Sequence, residues 1–322
     1  MGKGNAALHR AKRERNDEFY TQKKDIENEL IHYHNHLKDK IVYCNCDDYN
    51  KSKFVEYFME NFDKIGLKKL ISTGFSKDGQ GTYSEYDGTV FKTGFLSGNG
   101  DALGEECTEI LKQADVVVTN PPFSLFRKYV SHLMKYGKKF IIVGNRNAIT
   151  YKEIFPYIKN NELWLGNGFQ SGNAYFSITP QFAKEQNYAN GVYNADNGLV
   201  KFRNCVWFTN INHTKRNTPL DLYKKYSADE YPKYDNYDAI EVSKVEKIPM
   251  DYDGVMGVPI TFLDKHCPTQ FEIVGMAEDN GKGQSYDAKW DGLNPHCVIH
   301  SKNMYKRIFI RRKKAEPIVE VK

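Results

Sequence analysis

The sequence predicts an α/β protein whose larger part is a doubly wound, mostly parallel Rossmann-like sheet, followed by a smaller C-terminal region. Three observations carry this. Short apolar runs alternate with amphipathic segments from about residue 25 to residue 166, the pattern of parallel strands joined by helical crossovers. The apolar run at residues 116–118, bounded by Asp115 and by two prolines, fits a strand covered on both faces. Beyond Gly166 the alternation stops: residues 167–201 are rich in Gly, Asn and Tyr, and helical periodicity is scarce after Lys215.

Taken in order, residues 1–16 are basic and polar ("HRAKRER") and read as a flexible arm. A helix with an acidic first turn is predicted over residues 25–37. "KIVYCNC" (residues 40–46) reads as a strand, "KFVEYFMENF" (53–62) as an amphipathic helix and "LKKLIST" (67–73) as a second strand. Residues 82–102 read as a hairpin ending in the glycine-rich turn "SGNGDA". "CTEILKQA" (107–114) is then a helix, "DVVVTN" (115–120) a strand and "LFRKYVSHLMKYG" (125–137) a helix. "KKFIIVGN" (138–145) is a strand, "TYKEIFPYIKNN" (150–161) a helix and "ELWLG" (162–166) a short strand. "FRNCVWFTNIN" (202–212) reads as one more strand. "MYKRIFIRRKK" (304–314) is a basic strand, either a phosphate-contacting edge or merely a charged one. The shift in pattern divides the chain into residues 1–215 and 216–322.

With 322 residues the chain is long enough for one large domain and a smaller one. A net charge of +5 leans toward an anionic partner, and 14% aromatic residues suit both a core and a base-stacking surface. No run approaches the roughly 18 apolar residues of a membrane span, and the N-terminus lacks the apolar core of a secretory signal. Six scattered cysteines fit a reducing cytoplasm, so the expectation is a cytoplasmic protein without a membrane partner. Cys44 and Cys46 have no second Cys/His pair at zinc-finger spacing, so no metal is predicted. His32 and His36 share one helical face, which reads as a solvated face before it reads as a ligand pair.

The stretch that carries chemistry is Asn120-Pro121-Pro122-Phe123. It lies where a buried strand ends, at the ligand-binding edge of a doubly wound sheet. Both prolines fix their own backbone, Pro122 restricts the residue before it, and neither has an N–H. The Asn120 amide and a proline carbonyl therefore make two acceptors on a stiff frame, which match an exocyclic amine with two donors. Phe123 adds a flat face that can stack on the ring bearing that amine. The alternative is a proline-bearing strand end with a phenylalanine in the core.

"DVVVTNPPF" resembles motif IV of the amino-methyltransferases that use S-adenosylmethionine. Further segments resemble the EcoRI-type adenine-specific DNA methyltransferases: "DEFYTQKKDIENEL", "VYCNCDD", "ILKQADVVVTNPPFSLFRKY", "ITYKEIF", "WLG", "NCVWFTN", "YPKYDNYDAI" and "DYDGVMGVPITFL". They occur in order from about residue 17 to residue 274. The resemblance implies methyl transfer from S-adenosyl-L-methionine to N6 of an adenine flipped out of double-stranded DNA. It implies residues 216–322, with parts of residues 167–200, as the target-recognition region. A companion restriction endonuclease and a monomeric state belong to the same expectation.

Carried onto this chain, the resemblance makes Asn120, Pro121, Pro122 and Phe123 the catalytic turn. Phe19, Tyr20 and Thr21 fall in the segment that closes over the cofactor. Cys44, Asn45 and Asp47 follow the first strand, where many methyltransferases carry a glycine-rich loop; strand-end capping is the alternative for Asn45 and Asp47. Asp101 and Ala102 in the glycine-rich turn are placed to meet the cofactor's adenine, with a simple turn as the alternative, and Asn120 borders the same site. Trp207 or Phe208 is the candidate second wall around the target base, with core packing as its rival. Arg146 follows a strand on the expected DNA side and is either a DNA contact or a structural loop arginine. No acidic residue ends "LKKLIST", where many relatives hold the ribose. Two other readings share parts of this pattern: a methyltransferase acting on glutamine side chains or RNA, and a non-catalytic DNA-binding relative.

Overall fold

The computed structural model describes residues 19–169, 172–178, 188, 191–277 and 296–313, so the basic arm at 1–16 lies outside the described residues. The chain forms two compact units, Met1–Ile154 with Trp164–Asn212, and Phe155–Leu163 with His213–Lys322.

In the first unit β1 (Tyr20–Thr21) leads into α1 (Lys23–Leu30), a 3-10 turn (Ile31–Tyr33) and α2 (His34–Leu37). The single helix expected over 25–37 is thus three short pieces. β2 (Ile41–Cys44) is followed by α3 (Lys53–Glu60) and α4 (Phe62–Ile65), and then by β3 (Lys69–Gly74). Ser52 starts α3 by accepting from the amides of Phe54 and Val55 at 3.1 and 3.3 Å. Gly66, at φ +72°, ends α4 in the left-handed conformation a glycine adopts without strain. β4 (Thr82–Tyr86) and β5 (Phe91–Phe95) form the hairpin. α5 (Glu105–Gln113), β6 (Val116–Thr119), α6 (Phe126–Lys135) and β7 (Lys139–Asn145) follow. The helix expected over 150–161 is shorter than its pattern. A 3-10 turn at Arg146–Thr150 comes first, and α7 (Phe155–Lys159) belongs to the second unit. The chain returns through β8 (Trp164–Leu165), β9 (Ala174–Ser177), β10 (Tyr193–Asn194), β11 (Leu199–Phe202) and β12 (Cys205–Thr209).

Eight of these strands form one sheet in the order β5-β4-β3-β2-β6-β7-β12-β8. β3, β2, β6 and β7 are parallel neighbours. Antiparallel pairs flank them: β4 on β3 and β5 on β4 at one end, β12 on β7 and β8 at the other. The sheet is therefore mixed, where a mostly parallel one was expected. Its ends differ for a local reason, since the short Asp87–Val90 connection can join β4 and β5 only as an antiparallel hairpin. A second, antiparallel sheet of order β1-β9-β11-β10 sets Tyr20 opposite Ser177. Val42, Val116, Val118 and Ile141 from the large sheet join Phe54, Phe58 and Trp207 in the main core.

In the second unit β13 (Ile240–Glu241), β14 (Met256–Val258), β15 (Phe271–Met276) and β18 (Ile308–Arg312) pair in the order β13-β14-β18-β15, and α7 packs against β15. β16 (Val298–Ile299) and β17 (Lys302–Asn303) form a separate hairpin. The basic C-terminal strand is not an edge: β18 lies between β14 and β15. Its charges are answered locally, Arg311 by Glu272 at 3.0 Å and Arg312 by the Met250 carbonyl. Among the described residues no helix is long and apolar enough to cross a membrane.

Candidate active site

β6 is buried along its length and ends at Thr119. Asn120 is half-buried, Pro121 buried and Phe123 7% exposed, and α6 opens three residues later. The turn is closed by the Leu125 amide donating to the Pro122 carbonyl at 3.0 Å. Asn120 Nδ2 donates to the carbonyl of Phe19 at 2.7 Å, across 101 residues of sequence. Among the described residues nothing donates to Asn120 Oδ1 or to the Pro121 carbonyl. Two acceptors thus stand free on a frame whose prolines cannot use them internally.

The loop after β2 lies beside this turn. β2 pairs with β3 on one side and β6 on the other, so the chain leaves β2 in one direction and returns across it. Asp47 bridges the two strand ends. It accepts from Thr119 Oγ1 at 2.5 Å and from Ser52 Oγ at 2.7 Å, and burial among neutral groups pushes its carboxyl up to about 6. Asn45 is fully buried; its Oδ1 accepts from the Tyr129 hydroxyl, while its Nδ2 has no acceptor among the described residues. Cys44 is fully buried, and desolvation holds its thiol well above the ordinary range.

The glycine-rich turn before α5 is pinned by Glu106, whose carboxylate accepts from the amides of Ser97 and Gly98 at 2.8 and 2.9 Å. Gly100 has φ +79°, and a Cβ there would come within 2.3 Å of the Gly74 carbonyl oxygen. Backbone meets backbone at this point, as only glycine allows. Asp101 is exposed and uses one carboxylate oxygen to accept from the Leu103 amide at 3.0 Å; Ala102 is buried behind it.

The sequence candidates therefore separate into groups. Phe19 joins the Asn120 turn through its carbonyl, and its ring packs near-parallel to Phe123 with centroids 6.3 Å apart. Tyr20 and Thr21 form β1, and Thr21 Oγ1 is buried without a partner among the described residues. Asp47 is joined to Thr119, the residue before Asn120. Arg146 is half-buried just beyond β7, with its amide donating to the Asn204 carbonyl at 2.6 Å.

Trp207 and Phe208 depart from the expected open wall. Both are 0% exposed on β12, an interior strand. Phe169 stacks on Trp207 at 5.4 Å and 18°, and Phe208 packs against Phe126 at 5.0 Å. Their observed role is the core packing weighed as the rival reading. Sequence reasoning also missed Thr119, Ser52 and Tyr129, the partners that hold Asp47 and Asn45. Of these, Thr119 carried a signal, as a hydroxyl next to the catalytic-type turn.

Comparison with known proteins bears on this arrangement. A family model described as adenine-specific methyltransferase EcoRI matches residues 7–95 and 86–313. The type II methyltransferase M.EcoRI of Escherichia coli is 44% identical over 332 residues, covering 97% of this chain and 98% of that protein. The type II methyltransferase M.MgeORF184P of Mycoplasma genitalium is 40% identical over 271 residues, covering 83% of this chain and 85% of its own length. M.MpnI of Mycoplasma pneumoniae, also a type II methyltransferase, is 40% identical over 270 residues, with 83% and 84% covered. No solved structure matches the chain.

Proposed function

The chain belongs to the EcoRI-type adenine-specific DNA methyltransferases, and from that premise we propose how its residues divide the reaction. It is a site-specific DNA methyltransferase that uses S-adenosylmethionine as methyl donor. The bound donor supplies a methyl group already activated on a sulfonium.

Adenine N6 is a poor nucleophile because its lone pair is delocalised into the ring. Asn120 Oδ1 and the Pro121 carbonyl accept its two N–H bonds, draw the nitrogen toward a tetrahedral shape and hold the lone pair in line for transfer. Phe123 stacks on one face of an adenine flipped from the duplex. The N–C bond would form as the sulfonium S–C bond breaks and leaves a neutral thioether, and the methylated nitrogen then releases its proton to solvent, so no strong base is needed before transfer. The free pair of acceptors at Asn120 and Pro121 is the observation that carries this reading.

The residues present fit the donor. Among the described residues the buried Asn45 Nδ2 lacks an acceptor, and at Gly100 the backbone comes so close to the Gly74 carbonyl that no side chain fits between them. We assign Asn45, Asp101, Ala102, Thr21 and the edge of Asn120 to donor binding, with Cys44, Tyr20 and Phe19 lining the same region. Asp47, held by Ser52 and Thr119, is assigned to the same donor-binding group. The β3-β2-β6-β7 core is read as the Rossmann-like, doubly wound part of the sheet, with its ligand crevice where the chain reverses between β2 and β6. Residues 216–322 are assigned to target recognition and Arg146 to a DNA contact. A monomer working in the cytoplasm, alongside a separate restriction endonuclease, completes the proposal.

Tritiated methyl transfer tests it. Label should enter duplex DNA, and label appearing only in RNA or protein would sink the reading. Asn120→Ala should lower turnover by roughly 100-fold or more while DNA affinity stays close to that of the parent.

A further inference from the structure

We infer that the main-chain carbonyl of Phe19 sets which end of the Asn120 amide faces the target amine, making Phe19 a positioning residue for methyl transfer. The inference rests on the role of Asn120 given above. A carbonyl oxygen can only accept, so the Asn120 atom 2.7 Å from it is the amide nitrogen. Oδ1 is therefore turned away from Phe19 and accepts from no described residue. An amide rotated by half a turn would set two oxygens against each other at Phe19. It would also present N–H groups to an adenine amine that itself has only N–H groups to offer.

Phe19 is itself held firmly. Its ring is 7% exposed and meets Phe176 and Phe202 edge-on, with centroids 6.0 and 4.9 Å away. The next two residues are paired to β9, and Gln22 Nε2 donates to Ser177 Oγ at 2.8 Å. The orientation of the catalytic amide is thus fixed by the small antiparallel sheet, while its position is fixed by β6. A misoriented amide costs more in turnover than in binding, because the two acceptors matter most as the nitrogen changes shape.

The test replaces the Phe19–Tyr20 peptide bond of the full-length chain with an ester, by incorporating the α-hydroxy analogue of tyrosine at position 20. Every side chain stays, the Phe19 carbonyl becomes a weaker acceptor and the Tyr20 N–H is lost. A second ester, with the α-hydroxy analogue of threonine at position 21, weakens the Tyr20 carbonyl and removes the Thr21 N–H instead, and so controls for the loss of a backbone donor from β1. The first ester should lower kcat on duplex DNA by about tenfold, with KM for DNA and for S-adenosylmethionine within about twofold. The control ester should keep kcat within about twofold of the parent. Equal losses from both esters, or a loss confined to KM, would overturn the inference.

Asn120→Asp gives an independent check, since aspartate keeps an oxygen acceptor but has no N–H for Phe19. It should lose turnover as severely as Asn120→Ala. An aspartate variant retaining more than about a tenth of parental kcat beside an inactive alanine variant would overturn the role of Phe19 and leave that of Asn120 standing. Near-normal turnover of Asn120→Ala would overturn both.

Discussion

Two buried carboxylates, one in each unit, are satisfied in opposite ways. Glu241 in the second unit faces a cation: Arg307 Nε reaches both of its oxygens at 3.1 and 2.9 Å, Arg307 Nη2 adds a bond at 2.6 Å, and the Tyr234 hydroxyl donates as well. Among the described residues the Asp47 carboxylate in the first unit meets only hydroxyl groups, from Ser52 and Thr119. The difference teaches what each region tolerates. A charge balanced by a charge leaves a large residue of uncompensated energy when one partner goes, whereas a carboxyl among neutral donors can shed its charge by taking up a proton.

Breaking the ion pair should have the largest effect. The two side chains are 8% and 6% exposed, so Arg307→Ala strands a buried carboxylate and should destabilise the second unit by about 3–5 kcal/mol, read from denaturant unfolding. A loss below about 1 kcal/mol would show that solvent or another donor replaces the guanidinium. A smaller effect is expected from Ser52→Ala, which removes the cap of α3 and one donor to Asp47 together. It should cost about 1–2 kcal/mol, and an unchanged unfolding midpoint would contradict the bridge described here.

A further effect concerns pH. Burial raises the Asp47 carboxyl from 3.8 to about 6, so the folded chain binds this proton more tightly than the unfolded chain. The stability it contributes is complete below the unfolded value and is lost as pH rises through about 6. Asp47→Asn should therefore lose less thermal stability than the parent between those two values. Asp25, raised to about 6 chiefly by burial, titrates in both proteins and cancels in the comparison. Parallel melting curves for the two would refute the assignment.

Much of the first unit was legible because its signals are local. The apolar run of β6 and the two prolines after it define a buried strand and a stiff turn from adjacent residues alone. Asn120 and Phe19 were each legible separately, yet their bond joins residues 101 apart and leaves no periodicity to read. Trp207 and Phe208 were ambiguous for another reason. Aromatic residues in a strand satisfy core and pocket equally, and only the insertion of β12 between β7 and β8 decides for the core. The basic strand β18 misled through its charges, since Glu272 on the neighbouring strand lets an interior strand carry an arginine. The hairpin of β4 and β5 was legible from its turn, but the antiparallel flank at β12 and β8 was hidden because apolar alternation reports burial and carries no strand direction.

The contact between Gly74, Gly81 and Gly100 has a practical consequence for labelling. A Cβ at Gly81 would come within 2.6 Å of the Gly100 Cα, so these positions bar even alanine, and the joint cannot accept a probe. A Cβ at Gly79, between them in sequence, meets nothing closer than the Ser76 hydroxyl at 3.5 Å. Residue 79 is accordingly the place to put a cysteine for a fluorophore. The rigid joint on either side would hold the dye's attachment point steady, so that a change in its signal reports a neighbour arriving and not the loop wandering.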